Sequence, residues 1–235
     1  MYRGLIHFHS IYSYDSILNI KKIVDFALEN KLNFLILTDH DTIDGSVALK
    51  QYINKNRIDI EVLIASEYNT EFGDIIALGI KKEIVNMKFD DFIYEVKKQN
   101  GLLLFPHPYK GHKNIDLIIE QVDMVEVFNS RTDDKSNIKA LKLANKYNKP
   151  IYYATDSHNF KSLKNAIIEF KKDENFIQSL LKSEIVIHSK KKSLVWEVYI
   201  SQYIKAFKKK RIKLFISLTK SLIKSILTLK IFRKI

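Results

Sequence analysis

"LIHFHS", residues 5–10, ends a short apolar run with two imidazole side chains two positions apart. In an extended strand, residues i and i+2 point to the same side. The rings of His7 and His9 are therefore predicted to lie side by side where the first strand ends. Two titratable rings in such a place indicate either a hydrogen-bonded structural pair or the first part of a metal site.

Short apolar, β-branched runs of this kind recur along residues 1–189 and alternate with segments of helical period. The predicted strands are 4–8, 34–37, 62–65, 75–80, 102–105, 124–128 and 151–154. The predicted helices lie around 19–30, 44–55, 89–99, 114–121, 135–148 and 173–182. Several strands are apolar at both alternating positions, as expected of strands buried on both faces. The alternation predicts βαβ units, a parallel sheet and closure of that sheet as a barrel.

Charge divides the 235 residues into two parts, although the whole chain has a formal net charge of +12. Residues 190–235 hold 14 Lys and Arg and one acid, Glu197, whereas residues 1–189 hold 25 basic and 26 acidic side chains. We therefore predict a near-neutral domain over 1–189 and a basic tail over 190–235. The near-neutral domain disfavours a protein built to hold polynucleotide, which usually has a basic surface on its body.

The tail has polar and apolar positions at helical spacing, which predicts a basic amphipathic helix. Its apolar row is Leu218, Leu222, Ile223, Ile226 and Leu229. Three roles are compatible with this pattern: packing on the domain, lying on an anionic membrane, or binding nucleic acid.

The location predicted from composition is cytoplasmic, with a peripheral membrane location as the variant that the tail allows. Cysteine is absent, which excludes disulfides and thiolate-ligated metals. The first twenty residues lack the pattern of a secretory signal, and no run reaches the ~18 apolar residues of a spanning helix.

Most histidines directly follow an apolar, strand-like run, and three carboxylates occupy equivalent positions. These residues are His7, His9, His40, His107 and His158, with Glu67, Glu126 and Asp156. Because the carboxyl ends of parallel barrel strands converge on one face, we expect these side chains to surround one site on that face. Imidazole and carboxylate are ligands of Zn, Mn and Fe(II). The number of donors exceeds the needs of one four-coordinate ion, so two or three ions are predicted, and such a site suits phosphoester hydrolysis.

The motifs "HFHS", "TDHD", "FPHP" and "TDSH", with the isolated Glu67, resemble the polymerase and histidinol phosphatase (PHP) family of metal-dependent phosphoesterases over roughly residues 3–160. The resemblance implies a distorted (β/α)7 barrel with two or three ions of Mn, Zn or Fe. The ligands it implies are His7, His9, His40, Glu67, His107, Asp156 and His158. Asp15 resembles the aspartate that follows the HxH motif in many members, although it also suits a cap for a helix beginning near Asn19.

The segment "EVFNSRT" resembles the short members of the family, in which it lies beside the site. It implies Glu126 or Asn129 as a ligand or supporting group and Arg131 as a phosphate-binding residue, although Glu126 also suits an ion pair with Arg131. The chain departs from nucleotide-phosphatase-like members at Ile76, where "DIIALG" replaces a segment with histidine. The number of ions and the substrate are therefore not carried over from those members.

The predicted activity is hydrolysis of a phosphomonoester of a small metabolite or nucleotide by a metal-bound hydroxide. Arg131 is expected to neutralise the developing charge, and His107 or His158 to protonate the leaving group. One alternative is a nuclease acting on phosphodiesters, with the basic tail binding phosphates. A second is an amidohydrolase-type metal hydrolase, which "TDHD" and the late "DxH" disfavour. A third is a non-enzymatic protein in which the basic tail is the functional part.

Overall fold

The computed structural model describes residues 1–85, 88–173 and 175–228, which form a mixed α/β fold. The strands are β1 (Tyr2–Ile6), β2 (Phe34–Ile36), β3 (Glu61–Val62), β4 (Ala65–Thr70), β5 (Gly73–Leu78), β6 (Leu102–Phe105), β7 (Met124–Asn129), β8 (Ile151–Ala154), β9 (Ile168–Phe170) and β10 (Val186–Ile187). The helices are α1 (Ile20–Glu29), α2 (Asp44–Lys55), α3 (Phe89–Lys98), α4 (Ile115–Gln121), α5 (Asp134–Lys146), α6 (Phe176–Lys182), α7 (Val195–Lys208) and α8 (Ile212–Leu227), with a short 3₁₀ helix at Phe160–Asn165.

The strands form two five-stranded sheets, in the orders β10-β9-β1-β2-β3 and β4-β5-β6-β7-β8. Pairing is parallel between β1 and β2, β2 and β3, β6 and β7, and β7 and β8. It is antiparallel between β4 and β5, β5 and β6, β1 and β9, and β9 and β10. The predicted parallel pairing is therefore confirmed for four pairs of strands and wrong for the other four. The connection from β4 to β5 is too short for a crossover, so these two strands form a hairpin.

The described residues show no continuous strand pairing that closes the two sheets, so the predicted (β/α)7 barrel is not confirmed. Two isolated bridges join the sheets, one between Phe8 and Ser157 and one between His40 and Glu67. Both bridges lie beside residues that the sequence predicted as metal ligands. The sheets therefore meet at the end of the fold where the predicted ligands lie.

Helices α1 to α6 lie at their predicted positions to within three residues. In α1, the side chain of Asn19 accepts a hydrogen bond from the backbone N–H of Lys22 at 2.8 Å and so satisfies one free donor of the first turn. Ile23, Val24 and Ala27 form the buried side of this helix. Their spacing is that of one helical face, which is why the period of the sequence located the helix.

The predicted basic tail contains two helices, α7 and α8, rather than one. The chain turns between them at Lys210, whose backbone is left-handed with φ 51°. Leu229, one of the predicted apolar positions, lies outside the described residues. No helix in the described ranges is long and apolar enough to cross a membrane.

Candidate metal centre

The site begins where β1 ends. His7 has a left-handed backbone, φ 59°, so the pair His7 and His9 does not continue the extended strand as the sequence argument assumed. The backbone N–H of Asp156 donates to the His7 carbonyl at 2.8 Å, and that of His9 donates to the Ser157 carbonyl at 2.8 Å. These bonds hold the two rings with their centroids 5.4 Å apart.

Glu67, on β4, is the central carboxylate of the site. Its Oε2 lies 3.4 Å from His7 Nε2, 3.5 Å from His9 Nε2 and 3.3 Å from His40 Nδ1. Its Oε1 lies 3.1 Å from His107 Nε2. One buried carboxylate therefore contacts four imidazoles that come from both sheets.

Asp15 and Asp156 contact the remaining side of the cluster. Asp15 Oδ2 lies 3.4 Å from His40 Nε2 and 3.2 Å from His158 Nε2. Asp156 Oδ1 lies 3.5 Å from His9 Nε2 and 3.6 Å from His158 Nδ1. Asp15 therefore faces the histidines, while Asn19 caps α1.

Three sets of donors each have ligand atoms within 4.8 Å of one another. They are His9, Asp15, His40 and His158; His7, His9 and Asp156; and His7, Glu67 and His107. His7 and His9 belong to two sets each, so the sets are contiguous. Eight of the nine predicted ligands occur in these sets, and the ninth, Glu126, lies 2.8 Å from His7 Nδ1 through its Oε2.

The electrostatics of the cluster favour ionised carboxylates. Burial raises the pKa of Glu67, but the charges of His7 and His40 outweigh it, and the pKa lies well below its usual value. Burial also raises the pKa of Asp156, and the charges of Arg131, Lys110 and His7 outweigh it in the same way.

The histidines of the cluster divide into two kinds. Burial lowers the pKa of His7 and of His40, but the neighbouring carboxylates raise the pKa of His7 well above 6.5 and that of His40 to about 9. Burial, followed by the charges of His158 and His40, lowers the pKa of His9 to about 3. The surroundings therefore favour the neutral form of His9 and the protonated forms of His7 and His40, whose charge offsets that of the carboxylates as bound divalent cations would.

The residues present fit a metal centre. Several buried side-chain atoms that could bind a metal ion have no hydrogen-bond partner among the described residues. These atoms are His7 Nε2, both ring nitrogens of His9, His40 Nδ1, His107 Nδ1 and Glu126 Oε1. Buried polar atoms are normally hydrogen-bonded, and an unmade bond costs about 1–3 kcal/mol. Coordination to divalent ions would satisfy imidazole and carboxylate donors together.

Supporting side chains surround the donors. Asn129 Nδ2 donates to Asp156 Oδ2 at 3.2 Å, and Glu126 contacts His7 rather than Arg131. Asp39 accepts hydrogen bonds of 2.6 Å from the backbone N–H and from the hydroxyl of Ser10. Such bonds orient the loops that carry the donors.

Arg131 is buried and its guanidinium is fixed by two elements. Its Nη1 contacts the ring of His158, and its Nη2 donates to Ser201 Oγ on α7 at 2.7 Å. Nη1 also lies 3.6 Å from Asp156 Oδ1. The predicted phosphate-binding residue therefore lies at the cluster, although its two terminal nitrogens are already engaged by protein atoms.

A cavity of about 410 Å³ opens onto the donors. Its wall includes Lys110, Lys205, Lys209 and Arg211, of which the last three come from α7 and the turn after it. Lys205, Lys209 and Arg211 belong to the predicted basic tail, but nothing in a linear pattern predicts that they lie at the site, because they are far along the chain from the donors.

Tyr14 is a further residue that the sequence analysis missed. Its ring stacks on that of His40 with centroids 4.7 Å apart, and Lys209 Nζ lies 3.4 Å from the Tyr14 ring centroid. Tyr14 thereby connects α7 to the donor cluster. Its position next to Asp15 in the HxH loop was the available signal.

The other two histidines and Ile76 lie as follows. His112 Nε2 is 2.7 Å from the carbonyl oxygen of Asp74, and His188 Nε2 is 2.9 Å from Glu169 Oε2. Neither histidine belongs to a donor set. Ile76 is buried and is paired with Glu67 across β4 and β5, so an apolar side chain stands opposite the central carboxylate.

The chain is similar to known proteins both in sequence and in fold. A model of the PHP domain family matches residues 6–211. The uncharacterized protein MJ1587 of Methanocaldococcus jannaschii is 32% identical over 136 residues, which are 55% of this chain and 77% of that protein.

Two solved structures share the fold. A "two-domain protein containing predicted PHP-like metal-dependent phosphoesterase" from Bacteroides vulgatus has a TM-score of 0.65 at 17% identity, over 80% of this chain and 65% of its own. PsfC from Pseudomonas syringae has a TM-score of 0.62 at 13% identity, over 89% of this chain and 99% of its own. This chain therefore spans slightly less than two thirds of the two-domain protein.

Proposed function

This chain belongs to the PHP domain family, and on that premise we propose that it is a metal-dependent phosphoesterase that hydrolyses a phosphomonoester of a small metabolite or nucleotide. The observation that carries the proposal is a contiguous cluster of five imidazoles and four carboxylates, six of which line one cavity, with several buried ring nitrogens that have no hydrogen-bond partner among the described residues. The two-domain protein from Bacteroides vulgatus, which shares the fold and is described as containing a predicted PHP-like metal-dependent phosphoesterase, supports the same reaction class.

The proposed ligands are the nine residues that the sequence indicated: His7, His9, Asp15, His40, Glu67, His107, Glu126, Asp156 and His158. The three contiguous donor sets suit two or three ions of Mn, Zn or Fe. When bound, such ions supply a water of lowered pKa and neutralise charge on the reacting phosphate.

The chain's own cations are proposed to bind the phosphate of the substrate. Lys110 Nζ and Arg131 Nη1 each lie 3.6 Å from an oxygen of Asp156, at the wall of the cavity. Charge-assisted hydrogen bonds from such groups are among the stronger contacts that a phosphate makes. Since His158 and Ser201 hold the Arg131 guanidinium, its charge is oriented before the substrate arrives. Either His107 or His158 is the proposed proton donor to the leaving group, because both line the cavity.

A nuclease acting on phosphodiesters is the second candidate. The observation in its favour is the group of basic side chains, Lys205, Lys209 and Arg211, that α7 and the following turn bring to the cavity wall. A cationic rim favours a substrate with several phosphates. The cavity volume of about 410 Å³ favours a small ligand instead, since it lies within the usual range of small-molecule sites.

The test combines metal analysis with a substrate panel. Purified protein is loaded with Mn, Zn or Fe(II) and assayed on sugar phosphates, nucleotides and a single-stranded oligonucleotide, while elemental analysis gives the metal content. His40→Ala should reduce the bound metal and lower turnover by more than about a hundredfold, because changes to groups that merely support a ligand already cost 10–100-fold. His188→Ala is the control, since His188 is far along the chain from the donor sets and pairs with Glu169.

Turnover that survives His40→Ala would contradict the proposed site. Cleavage of the oligonucleotide without hydrolysis of any monoester would favour the second candidate.

We also infer that the two sheets form one distorted barrel around the site. The bridges Phe8–Ser157 and His40–Glu67 support this, because they connect β1 to β8 and β2 to β4 at the end that carries the donors. Bound ions would add a further connection, since their proposed ligands come from both sheets.

A further inference from the structure

Helix α8 leaves one apolar side uncovered. Ile212, Ile216, Ile223 and Leu227 follow one another at intervals of four, seven and four residues, which places them along one face of a helix. Their exposed fractions are 74%, 51%, 54% and 79%. We call these four residues the isoleucine stripe. Scattered exposed apolar residues are common, but a continuous helical stripe is typical of an interaction surface.

Another side of α8 packs against α7, through the edge-to-face ring pair of Tyr203 and Phe215 and through hydroxyl groups. The hydroxyl of Tyr199 lies 2.6 Å from Ser221 Oγ and 2.9 Å from Ser225 Oγ. The hydroxyl of Tyr203 donates to Thr219 Oγ1 at 3.1 Å. The contact between the two helices therefore uses the side of α8 that carries the half-buried Leu214, Leu218 and Leu222, and in the part of the chain that the structure describes the isoleucine stripe stays exposed.

A row of lysines runs along the edge of the stripe. At about 100° of rotation per residue, and with Ile212 at the origin, the isoleucine stripe lies between 0° and about 60° around the helix axis. The row of Lys213, Lys220 and Lys224 lies between about 80° and about 120°. No acidic residue occurs anywhere in residues 198–235 of the sequence. An apolar stripe with a cationic border is the pattern of a helix that lies in the interface of an anionic membrane.

We propose that α8 binds the surface of an anionic lipid bilayer, with the isoleucine stripe at the boundary of the acyl chains and the three lysines among the headgroups. A spanning role is excluded for the described helix, because three lysines fall within its 16 residues. The proposal goes beyond the phosphoesterase function and does not depend on it.

Two other partners fit the surface less well. A polynucleotide is bound through stacking on aromatic rings as well as through cations, and the isoleucine stripe is aliphatic. A second copy of the chain, paired through the stripe, would bring two lysine rows together with no acid in α8 to offset their repulsion.

Membrane binding would also position the catalytic cavity. Helix α7, which carries α8, contributes Lys205 to the cavity wall, and Lys209 and Arg211 in the connecting turn line it too. Phe207, which is 80% exposed, lies beside that turn. A bilayer that holds α8 would therefore lie near the mouth of the cavity.

The experiment is flotation of the full-length protein with lipid vesicles. Vesicles of phosphatidylcholine alone are compared with an equal mixture of phosphatidylcholine and phosphatidylglycerol, at low and at high salt. We expect flotation with the anionic vesicles only and release at high salt, because screening weakens the lysine contacts.

Two variants separate the roles of the stripe and the lysines. Lys213→Gln/Lys220→Gln/Lys224→Gln should weaken the partition coefficient by on the order of a hundredfold, because each lysine near an anionic surface contributes about a fivefold increase. Ile216→Ser/Ile223→Ser should weaken it by at least about tenfold through the loss of apolar burial. The matched controls are Lys22→Gln/Lys50→Gln/Lys55→Gln and Leu28→Ser/Ile138→Ser, which change exposed residues of α1, α2 and α5 and should leave flotation unchanged.

Three outcomes would overturn the proposal. The first is the absence of flotation, or equal flotation with neutral vesicles. The second is flotation that both α8 variants retain. The third is binding of a single-stranded oligonucleotide, or a concentration-dependent dimer, that the α8 variants lose while lipid binding is absent. Hydrolysis of a soluble phosphomonoester by the two α8 variants is measured separately, so failure of the membrane proposal is distinguishable from failure of the phosphoesterase proposal.

Discussion

His7 illustrates what a residue pattern determines and what it leaves open. The spacing of His7 and His9 predicted that their rings lie side by side, and they do. They do so without the extended strand through both residues from which the prediction was argued. The strand ends at Ile6, and His7 takes a left-handed backbone that costs energy unless its surroundings hold it. His107 and Asp156 also have positive φ, at 28° and 47°. Backbone strain at the proposed ligands depends on the tertiary structure, because the hydrogen bonds that hold the strained residues come from other parts of the chain. A local sequence pattern therefore does not predict it.

The first prediction concerns a single residue, Arg131, and the substitution Arg131→Lys. Lysine keeps the charge but lacks the planar fork that contacts His158 and Ser201 together. We expect kcat/KM for a phosphomonoester to fall by about tenfold or more, with the metal content unchanged. Steady-state kinetics and elemental analysis measure the two quantities. Arg3→Lys, which changes an arginine paired with Glu169, is the control, and an unchanged kcat/KM would contradict the proposed phosphate contact.

At the scale of elements, the sequence period located the helices well and the sheets less well. The β4–β5 hairpin was missed because β4, "ASEYNT", carries polar residues where a buried strand was expected to be apolar. Its polarity follows from the site, since Glu67 faces the histidines and Ser66 Oγ donates to the carbonyl of Asp39. Strands that supply functional side chains depart from the patterns by which strands are found.

The cap of α5 carries a prediction on stability and pH. The Asp133 side chain accepts hydrogen bonds from the Ser136 hydroxyl at 2.7 Å and from its backbone N–H at 2.9 Å, and these bonds lower the pKa of Asp133. Since the folded-state pKa is depressed, the contribution is present above the unfolded value of about 3.9 and is lost as the pH falls through the folded value.

Asp133→Ala should therefore lower the free energy of unfolding by about 1 kcal/mol at neutral pH. Urea denaturation should show the difference from the unsubstituted protein shrinking as the pH is lowered below about 4. Asp25→Ala, which removes an exposed pair with Lys21, should leave the free energy of unfolding nearly unchanged. A difference for Asp133→Ala that is independent of pH would contradict the assignment of the cap.

Helix α7 carries a second prediction at this scale. Lys208 Nζ donates to the carbonyl oxygens of Ile11, Ser13 and Ser16, at 3.0, 2.7 and 2.9 Å, and so clamps the loop that holds Asp15. Lys208→Met keeps an unbranched side chain one atom shorter than lysine and removes the N–H donors. Hydrogen bonds to a charged group contribute about 1.5–3 kcal/mol each in favourable settings, so the loop should loosen.

We expect Lys208→Met to bind metal more weakly and to lower kcat by about tenfold, because Asp15 lies 3.2 Å from His158 and 3.4 Å from His40. Metal titration and kinetics measure the effect. Lys210→Met, a change to an exposed neighbour in the same turn, should leave both unchanged. Equal behaviour of the two variants would show that α7 does not position the loop.

For the whole molecule, the proposed ligands connect the two sheets. His7, His9 and His40 follow β1 and β2 in one sheet, whereas Glu67, Glu126 and the later donors belong to β4–β8 or follow them. Removing the metal should therefore lower the stability of the fold as well as abolish turnover.

At a free ion concentration of about 1,000 times Kd, binding contributes about 4 kcal/mol to stability. With about 2–4 °C per kcal/mol for a chain of this size, chelation should lower Tm by roughly 10 °C. Calorimetry with and without chelator, followed by restoration with Mn, measures the shift. The chelated His40→Ala variant should show a smaller shift than the unsubstituted protein, and an unchanged Tm would indicate that no ion links the sheets.

Linear sequence was sufficient to predict helices α1 to α6, most strand positions, the division of charge along the chain and the residues proposed as ligands. Each of these features depends on local periodicity, local composition or a short motif, so it can be predicted from the order of residues along the chain. Only the tertiary structure decided the antiparallel hairpin, the break of the tail into α7 and α8, and the approach of Tyr14, Lys205, Lys209 and Arg211 to the donor cavity. These depend on contacts between positions far apart in the chain, whose energies no local pattern records.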